Sequence, residues 1–183
     1  MTLQEYLQSK CENEWKFDDK TKCEISEDGK KIELFCIKDF KLPAYLARSE
    51  EAEKVNSFSI KNSYLSLFPR NILSFKNLEF LELDDAFTHN KELNRVDFSW
   101  ELYKLSKLKR LIFKNNTISA LKSPQDMRPH KFDNIEFIDF SQNNTIYLIR
   151  NQDDKKISMS DLKLIFDKSI AENFNEHFEF IKE

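Results

Sequence analysis

The segment FPRNILSFKNLEFLEL, at residues 68–83, has the same spacing of apolar side chains as the segment FSWELYKLSKLKRLIF, at residues 98–113. When the two are superimposed, the coinciding apolar pairs are Phe68 with Phe98, Ile72 with Leu102, Phe75 with Leu105, Leu78 with Leu108, Leu81 with Leu111, and Leu83 with Phe113. A pattern of this length that recurs within one short chain predicts a repeated structural unit.

The core of the unit, apolar–x–x–apolar–x–apolar, occurs at five places in the chain. These are Ile32, Phe35 and Ile37; Val55, Phe58 and Ile60; Leu78, Leu81 and Leu83; Leu108, Leu111 and Phe113; and Ile135, Ile138 and Phe140. Successive units begin 23, 23, 30 and 27 residues apart. The alternation that ends each unit predicts a short strand with one side facing inward and the other outward.

This repeat resembles the leucine-rich repeat family, whose consensus L-x-x-L-x-L-x-x-N/C-x-L recurs in units of similar length. Asn116 and Asn143 occupy the consensus Asn position, whereas Phe40, Ser63 and Ala86 replace it in the other units. The resemblance implies an α/β fold: a right-handed, curved solenoid with a parallel sheet and about five repeats. No unit can bury its apolar side alone, so neighbouring units are expected to stack around one shared core.

The chain is expected to form one domain over residues 1–183, with repeats at 31–145 between two caps. The N-terminal cap at 1–30 is predicted to contain a helix with Leu3, Leu7 and Cys11 on one face, and a hairpin that turns at Asp28-Gly29. The C-terminal cap at 146–183 is predicted to contain a helix that begins after Ser160. Its apolar face is formed by Leu162, Phe166, Ile170, Phe174 and Phe178.

Composition argues against several classes of partner and compartment. The net charge is −3 with both signs interleaved, so no basic face is expected to bind nucleic acid. The sequence has neither a signal-peptide pattern nor an apolar run long enough to span a membrane. The three cysteines favour reduced thiols in a cytoplasm, and a Cys11–Cys23 disulfide is the alternative.

No catalytic, metal or cofactor site is predicted. His89, His130 and His177 are not at metal-ligand spacing, and a chain with a single Gly cannot form a Gly-rich phosphate loop. Cys36 is a candidate nucleophile, but no partner for it follows from the spacing. A non-catalytic protein is therefore expected, and a small enzyme that uses Cys36 is a distant alternative.

The outward strand positions are the predicted partner-binding site. In the last three units they hold apolar residues within a charged rim, a composition that suits a protein interface. The predicted contact residues are Phe80, Glu82, Asp84, Arg110, Ile112, Lys114, Phe137 and Asp139. Two enlarged loops, within 84–97 and 114–133, border the same strands and are expected to add contacts. Alternatively, a loop or the C-terminal helix covers these residues.

The resemblance implies a protein-binding module that acts through its concave sheet. A bacterial effector or adaptor, acting in the cytoplasm of the producing cell or of a host cell, is the first expectation. An inhibitor or immunity protein that neutralises a toxin or enzyme is the alternative. The unbound protein is expected to be a monomer.

Overall fold

The computed structural model of the protein describes residues 1–87, 100–116, 120–123, 132, 134–139, 141–142, 146–150 and 178–179. Several sequence predictions fall outside these residues. They concern His89, Phe98, His130, Phe140, Asn143, His177, most of both enlarged loops, and the predicted helical segment from Ser160 to Phe174.

Helix α1 (Leu3–Asn13) begins with a capping box, in which Thr2 and Glu5 each accept the backbone N–H of the other. It buries Leu3, Leu7 and Cys11, which confirms the predicted stripe. In the described residues, two further short helices, α2 (Ala44–Ala47) and α3 (Glu50–Lys54), and two 3-10 helices, Arg70–Ser74 and Trp100–Lys104, connect strands.

Six strands form one mostly parallel sheet in the described part of the chain. They are β1 (Lys22–Ile25), β2 (Lys31–Phe35), β3 (Ser57–Lys61), β4 (Phe80–Asp84), β5 (Arg110–Ile112) and β7 (Phe137–Asp139). β1 and β2 form the predicted antiparallel hairpin, and Gly29 in its turn has φ of +70°, a value that an L side chain rarely adopts. From β2 onward every pairing is parallel, so the protein has an α/β fold.

The side chains that face the core align across the parallel strands. One register row contains Phe58, Leu81, Leu111 and Ile138. The first three of these side chains are fully buried, and Ile138 packs against the same core. The predicted strands of the second to fifth units are therefore confirmed, and equivalent positions of successive units share one hydrophobic interior.

The predicted register of the first unit, which aligns Phe35 with Phe58, is wrong. In the structure Ile32 pairs with Phe58, a displacement of three residues along the chain. Leu34 is consequently fully buried and Cys36 is only 8% exposed, although both are predicted to face outward. The side chains that alternate with the buried ones in β2 are Lys31, Glu33 and Phe35, rather than the predicted Leu34, Cys36 and Lys38.

The two segments that share the sixteen-residue pattern have the same local structure. Each contains a 3-10 helix, then a turn, then a strand of the sheet. Ile72 and Leu102 are fully buried at equivalent positions of the two 3-10 helices. After them, the backbone N–H of Phe75 donates to Ile72 and that of Leu105 donates to Leu102. The repeated sequence therefore specifies a repeated path of the backbone as well as a repeated strand.

A residue in the left-handed conformation follows each of β2, β3, β4, β5 and β7 at an equivalent position. With φ between 49° and 57°, these residues are Cys36, Asn62, Asp85, Asn115 and Gln142. Three of the five are Asn or Asp, the non-glycine residues that adopt this conformation most readily. Because Cys36 lies four residues after Ile32, as Asn62 lies four after Phe58, the turns independently support the corrected register.

The next residue occupies the consensus Asn position; in the first four units it is Ile37, Ser63, Ala86 and Asn116, so apolar and polar side chains alternate there. In the first unit this residue is Ile37, not the predicted Phe40. The hydroxyl of buried Ser63 accepts the Ile37 N–H at 3.1 Å, and Oδ1 of Asn116 accepts the Ala86 N–H at 2.7 Å. Each polar side chain thus accepts a hydrogen bond from a buried backbone N–H of the preceding unit. These buried donors are therefore satisfied although Asn does not occur in every unit.

A second sheet was not predicted from the sequence. It contains β6 (Ala120–Ser123), β8 (Ile146–Arg150) and β9 (Phe178–Glu179), paired in parallel. Residues 146–150, predicted to belong to a helical cap, are thus a strand. Phe178, which the spacing places on the C-terminal helix, lies in β9.

Candidate protein-binding surface

The side of the six-stranded sheet opposite the core is called the outer face. In its last three strands it is formed by Phe80, Glu82, Asp84, Arg110, Ile112, Lys114, Phe137 and Asp139. All eight are predicted contact residues, and the structure brings them together. Their positions align across β4, β5 and β7, because the register pairs Phe80 with Arg110 and Arg110 with Phe137.

The aligned row contains an arginine between two phenylalanines. The guanidinium carbon of Arg110 lies 5.7 Å from the centre of the Phe80 ring and 5.2 Å from that of Phe137. Both distances are within the range of a cation–π contact. Phe137 is 41% exposed, Phe80 is half-buried and Arg110 is exposed. A large aromatic side chain therefore remains accessible to solvent on β7, the last strand of the described sheet.

A charged network occupies the neighbouring strands of the outer face. Lys61 forms ion pairs with Glu82 at 2.8 Å and with Glu33 at 3.3 Å. The hydroxyl of Ser59 donates to Glu82 at 3.2 Å, and Glu82 is only 9% exposed. Oε2 of Glu82 thus contacts both Lys61 and Ser59, and the two oxygens of Glu33 contact Lys61 and Lys31, so both carboxylates have compensating partners.

The network shifts the pKa values of two of its members. Burial alone lowers the pKa of Lys61, but its hydrogen bonds and ion pairs with Glu82 and Glu33 outweigh burial and raise it. Burial alone raises the pKa of Glu33, but hydrogen bonds from Lys31 and Lys61 outweigh it and lower the pKa. Both shifts keep Lys61 and Glu33 charged near neutral pH. The charged groups on this part of the outer face therefore form ion pairs with one another.

The carboxylates at the ends of the outer face also have partners. Asp84 forms an ion pair with Lys114 at 3.5 Å and accepts a hydrogen bond from the Asn115 amide at 2.8 Å. Oδ1 of Asp139 accepts the backbone N–H of Ser141 at 2.8 Å. The acidic residues around the Phe80–Arg110–Phe137 row thus pair with residues other than Arg110. The contacts of the Arg110 side chain are with the two rings.

Phe35 belongs to the outer face and was missed from the sequence. Its ring lies 4.4 Å from Nζ of Lys22 and 6.0 Å from Nζ of Lys61. The alternation in KIELF could have identified it, because charged Lys31 and Glu33 alternate with apolar Ile32 and Leu34. A strand whose charged residues face outward must place Phe35 on the same side.

A groove of about 840 Å³ lies away from the outer face, between the end of α1 and the segments that follow β2 and β3. Its lining includes Leu67, which is 73% exposed, half-buried Tyr6, buried Phe68, and the aromatic residues Trp15 and Phe40. However, Trp15 and Phe40 are buried members of the core, and their rings contact each other at 5.5 Å. The groove therefore offers less accessible aromatic surface than the outer face.

The cysteines do not form a catalytic arrangement in the described residues. Cys36 is buried in the left-handed turn after β2, and burial raises the pKa of its thiol. A nucleophilic cysteine requires the opposite shift. Cys11 and Cys23 are free thiols that share a hydrogen bond, which lowers the pKa of Cys11 and raises that of Cys23. Among the described residues, no cluster of His, Cys, Asp and Glu is suited to hold a metal ion.

Comparison of the chain with models of protein families, with curated proteins and with solved structures gave no match. Within the part of the chain that the structure describes, no helix has the length and apolar character needed to cross a bilayer.

Proposed function

We propose that the chain is a single-domain, right-handed solenoid of the leucine-rich repeat family with about five repeats. The parallel strands that follow one another in sequence and in the sheet support this proposal. The left-handed residue after each of β2, β3, β4, β5 and β7 supports it too, because it occupies the same position relative to the strand in every unit. In this arrangement, α1 covers the N-terminal end of the shared core, as the buried Leu3 and Leu7 require.

The proposed function is non-catalytic binding of a partner protein through the outer face and the loops beside it. The observation that carries this proposal is the Phe80–Arg110–Phe137 row. Aromatic and arginine side chains contribute most of the binding energy in many protein interfaces, and here they lie inside a charged, internally paired rim. The interleaved charge of the chain favours a protein over nucleic acid as the partner.

Two cellular roles fit a binding module of this size. An effector or adaptor would use the outer face to recruit a target, whereas an inhibitor or immunity protein would use it to block a toxin or an enzyme. The three free cysteines favour a reducing compartment, which is the cytoplasm of the producing cell or of a host cell. The unbound protein is proposed to be a monomer.

Replacing the two aromatic side chains of the Phe80–Arg110–Phe137 row tests the proposal. Partners are first captured from a native lysate and identified by mass spectrometry, and their affinities are then measured by calorimetry. Phe80→Ala combined with Phe137→Ala is expected to weaken binding at least about tenfold, because each ring is a predicted interface anchor. The melting temperature should change little, since Phe137 is 41% exposed and Phe80 is half-buried.

The matched control is Tyr45→Ala combined with Leu67→Ala, which removes two side chains that are 61% and 73% exposed and lie off the sheet. Full affinity is expected to remain in this variant. A partner that binds the Phe80/Phe137 variant as tightly as the original protein would place the interface elsewhere.

A further inference from the structure

Among the positively charged residues of the outer face that the structure describes, Arg110 alone has no ion pair. Lys31, Lys61 and Lys114 each pair with a carboxylate, whereas Arg110 contacts two aromatic rings and no carboxylate within 4.0 Å. A guanidinium carries five N–H donors and stays charged at every accessible pH. Its hydrogen-bonding capacity is therefore available to a molecule that binds the outer face.

The two rings prepare Arg110 to bind an anion. Its cation–π contacts with Phe80 and Phe137 pair none of the N–H donors with a carboxylate, and these donors match the two oxygens of a carboxylate. Phe80 and Phe137 lie on the strands to either side, so they restrict the positions that the side chain can adopt. Restricting the site before binding lowers the entropy cost of forming the complex.

We infer that the protein partner places a carboxylate, from an Asp or Glu side chain, on Arg110, with an apolar side chain beside it on Phe80 or Phe137. This inference rests on the proposed function and adds the chemistry of the partner. Ile112, half-buried one row along β5, extends the apolar surface next to the same arginine. The expected recognition element is thus an acidic residue with an adjacent leucine, isoleucine or aromatic residue.

The neighbouring charges favour a carboxylate over a phosphate. Glu82 pairs in register with Ile112, as does Asp139, so an acidic residue lies on each adjacent strand. A phosphate group carries close to two negative charges and would be repelled more strongly by these acids than a carboxylate with one. Arg110 is a single arginine, whereas phosphate-binding sites commonly present a cluster of them.

The test uses short random peptides displayed on phage and selected on the full-length protein. Selected peptides are synthesised with each Asp or Glu in turn changed to Asn or Gln, and their affinities are measured at two salt concentrations. We expect selection for an acidic residue next to an apolar one. Changing that acidic residue to its amide should weaken binding about tenfold, equivalent to about 1.4 kcal/mol. This loss should shrink at high salt because the contact is exposed.

The same measurements on Arg110→Gln complete a double-mutant cycle. In this variant the acidic peptide and its amide should bind equally, and both should bind as weakly as the amide binds the original protein. Arg110→Lys keeps the charge without the planar donors and should recover only part of the difference. Lys107→Gln, which removes an exposed charge in the turn before β5, should leave the difference intact.

The outcomes separate this inference from the proposed function. Peptides that lose affinity for the Phe80→Ala/Phe137→Ala variant but bind Arg110→Gln normally would overturn the carboxylate inference alone. So would a preference for phosphopeptides over their Asp or Glu counterparts. If no selected peptide depends on Phe80 or Phe137, the proposed function and this inference both fail.

Discussion

Leu81→Asp is expected to abolish cooperative folding. Leu81 is fully buried in β4, and its register neighbours are Phe58 in β3 and Leu111 in β5. An aspartate there would place an unpaired charge inside the shared core, at a cost of about 4 kcal/mol or more. Because a domain is usually stable by only about 5–15 kcal/mol, this cost is a large fraction of the total stability. Far-ultraviolet circular dichroism during thermal unfolding measures the effect.

Phe80→Asp is the matched control, since it introduces the same charge one residue earlier in the same strand. Phe80 lies on the outer face and is half-buried, so the new carboxylate would remain accessible to water. A melting temperature close to that of the original protein is expected. If Leu81→Asp and Phe80→Asp reduced stability equally, the claim that Leu81 faces the core and Phe80 faces solvent would be contradicted.

Phe58→Ala is expected to lower the free energy of unfolding by about 3–5 kcal/mol, the usual cost of removing a fully buried phenylalanine. The Phe58 ring is inaccessible to solvent and lies 5.1 Å from the ring of Phe40 and 5.1 Å from that of Phe75. Its removal would leave a cavity between two aromatic contacts. For a chain of this length, the melting temperature should fall by roughly 6–20 °C. Urea unfolding gives the free energy directly.

Phe35→Ala provides the comparison that distinguishes the two registers of the first unit. The register predicted from the sequence places Phe35 level with Phe58, whereas in the structure Ile32 occupies that position. Phe35 is only partly buried and contacts two lysine side chains on the outer face. Its replacement should therefore cost far less than that of Phe58. Equal losses for the two substitutions would support the sequence-based register.

The strands of the second to fifth units could be predicted because their apolar spacing has one physical interpretation. A side chain such as Leu81 or Leu111 alternates with polar or exposed neighbours, and only one face of the strand can enter the core. The register of the first unit was predicted wrongly because Ile32, Phe35 and Ile37 have the spacing of the repeat by chance. Ile37 is buried after the strand has ended, in the position next to the left-handed turn.

The composition of the outer face was predictable, but its internal pairing was not. Alternation alone identifies Phe80, Arg110 and Phe137 as outward residues. The repeat spacing also places them in one row, because each precedes Leu81, Leu111 or Ile138, but the ring contacts of Arg110 depend on side-chain positions from three strands. The ion pairs of Lys61 depend in the same way on three strands at once. These contacts are non-local, so no spacing within a single segment specifies them.

Nuclear Overhauser effects in the uniformly labelled protein test the central claim, that consecutive units pair in parallel and align the Phe80–Arg110–Phe137 row. We expect contacts between the side-chain protons of Arg110 and the ring protons of both phenylalanines. Backbone contacts should also connect Phe58 with Leu81, and Leu81 with Leu111, as the parallel register requires. Antiparallel contacts between β3 and β4, or Arg110 protons close to neither ring, would contradict the account.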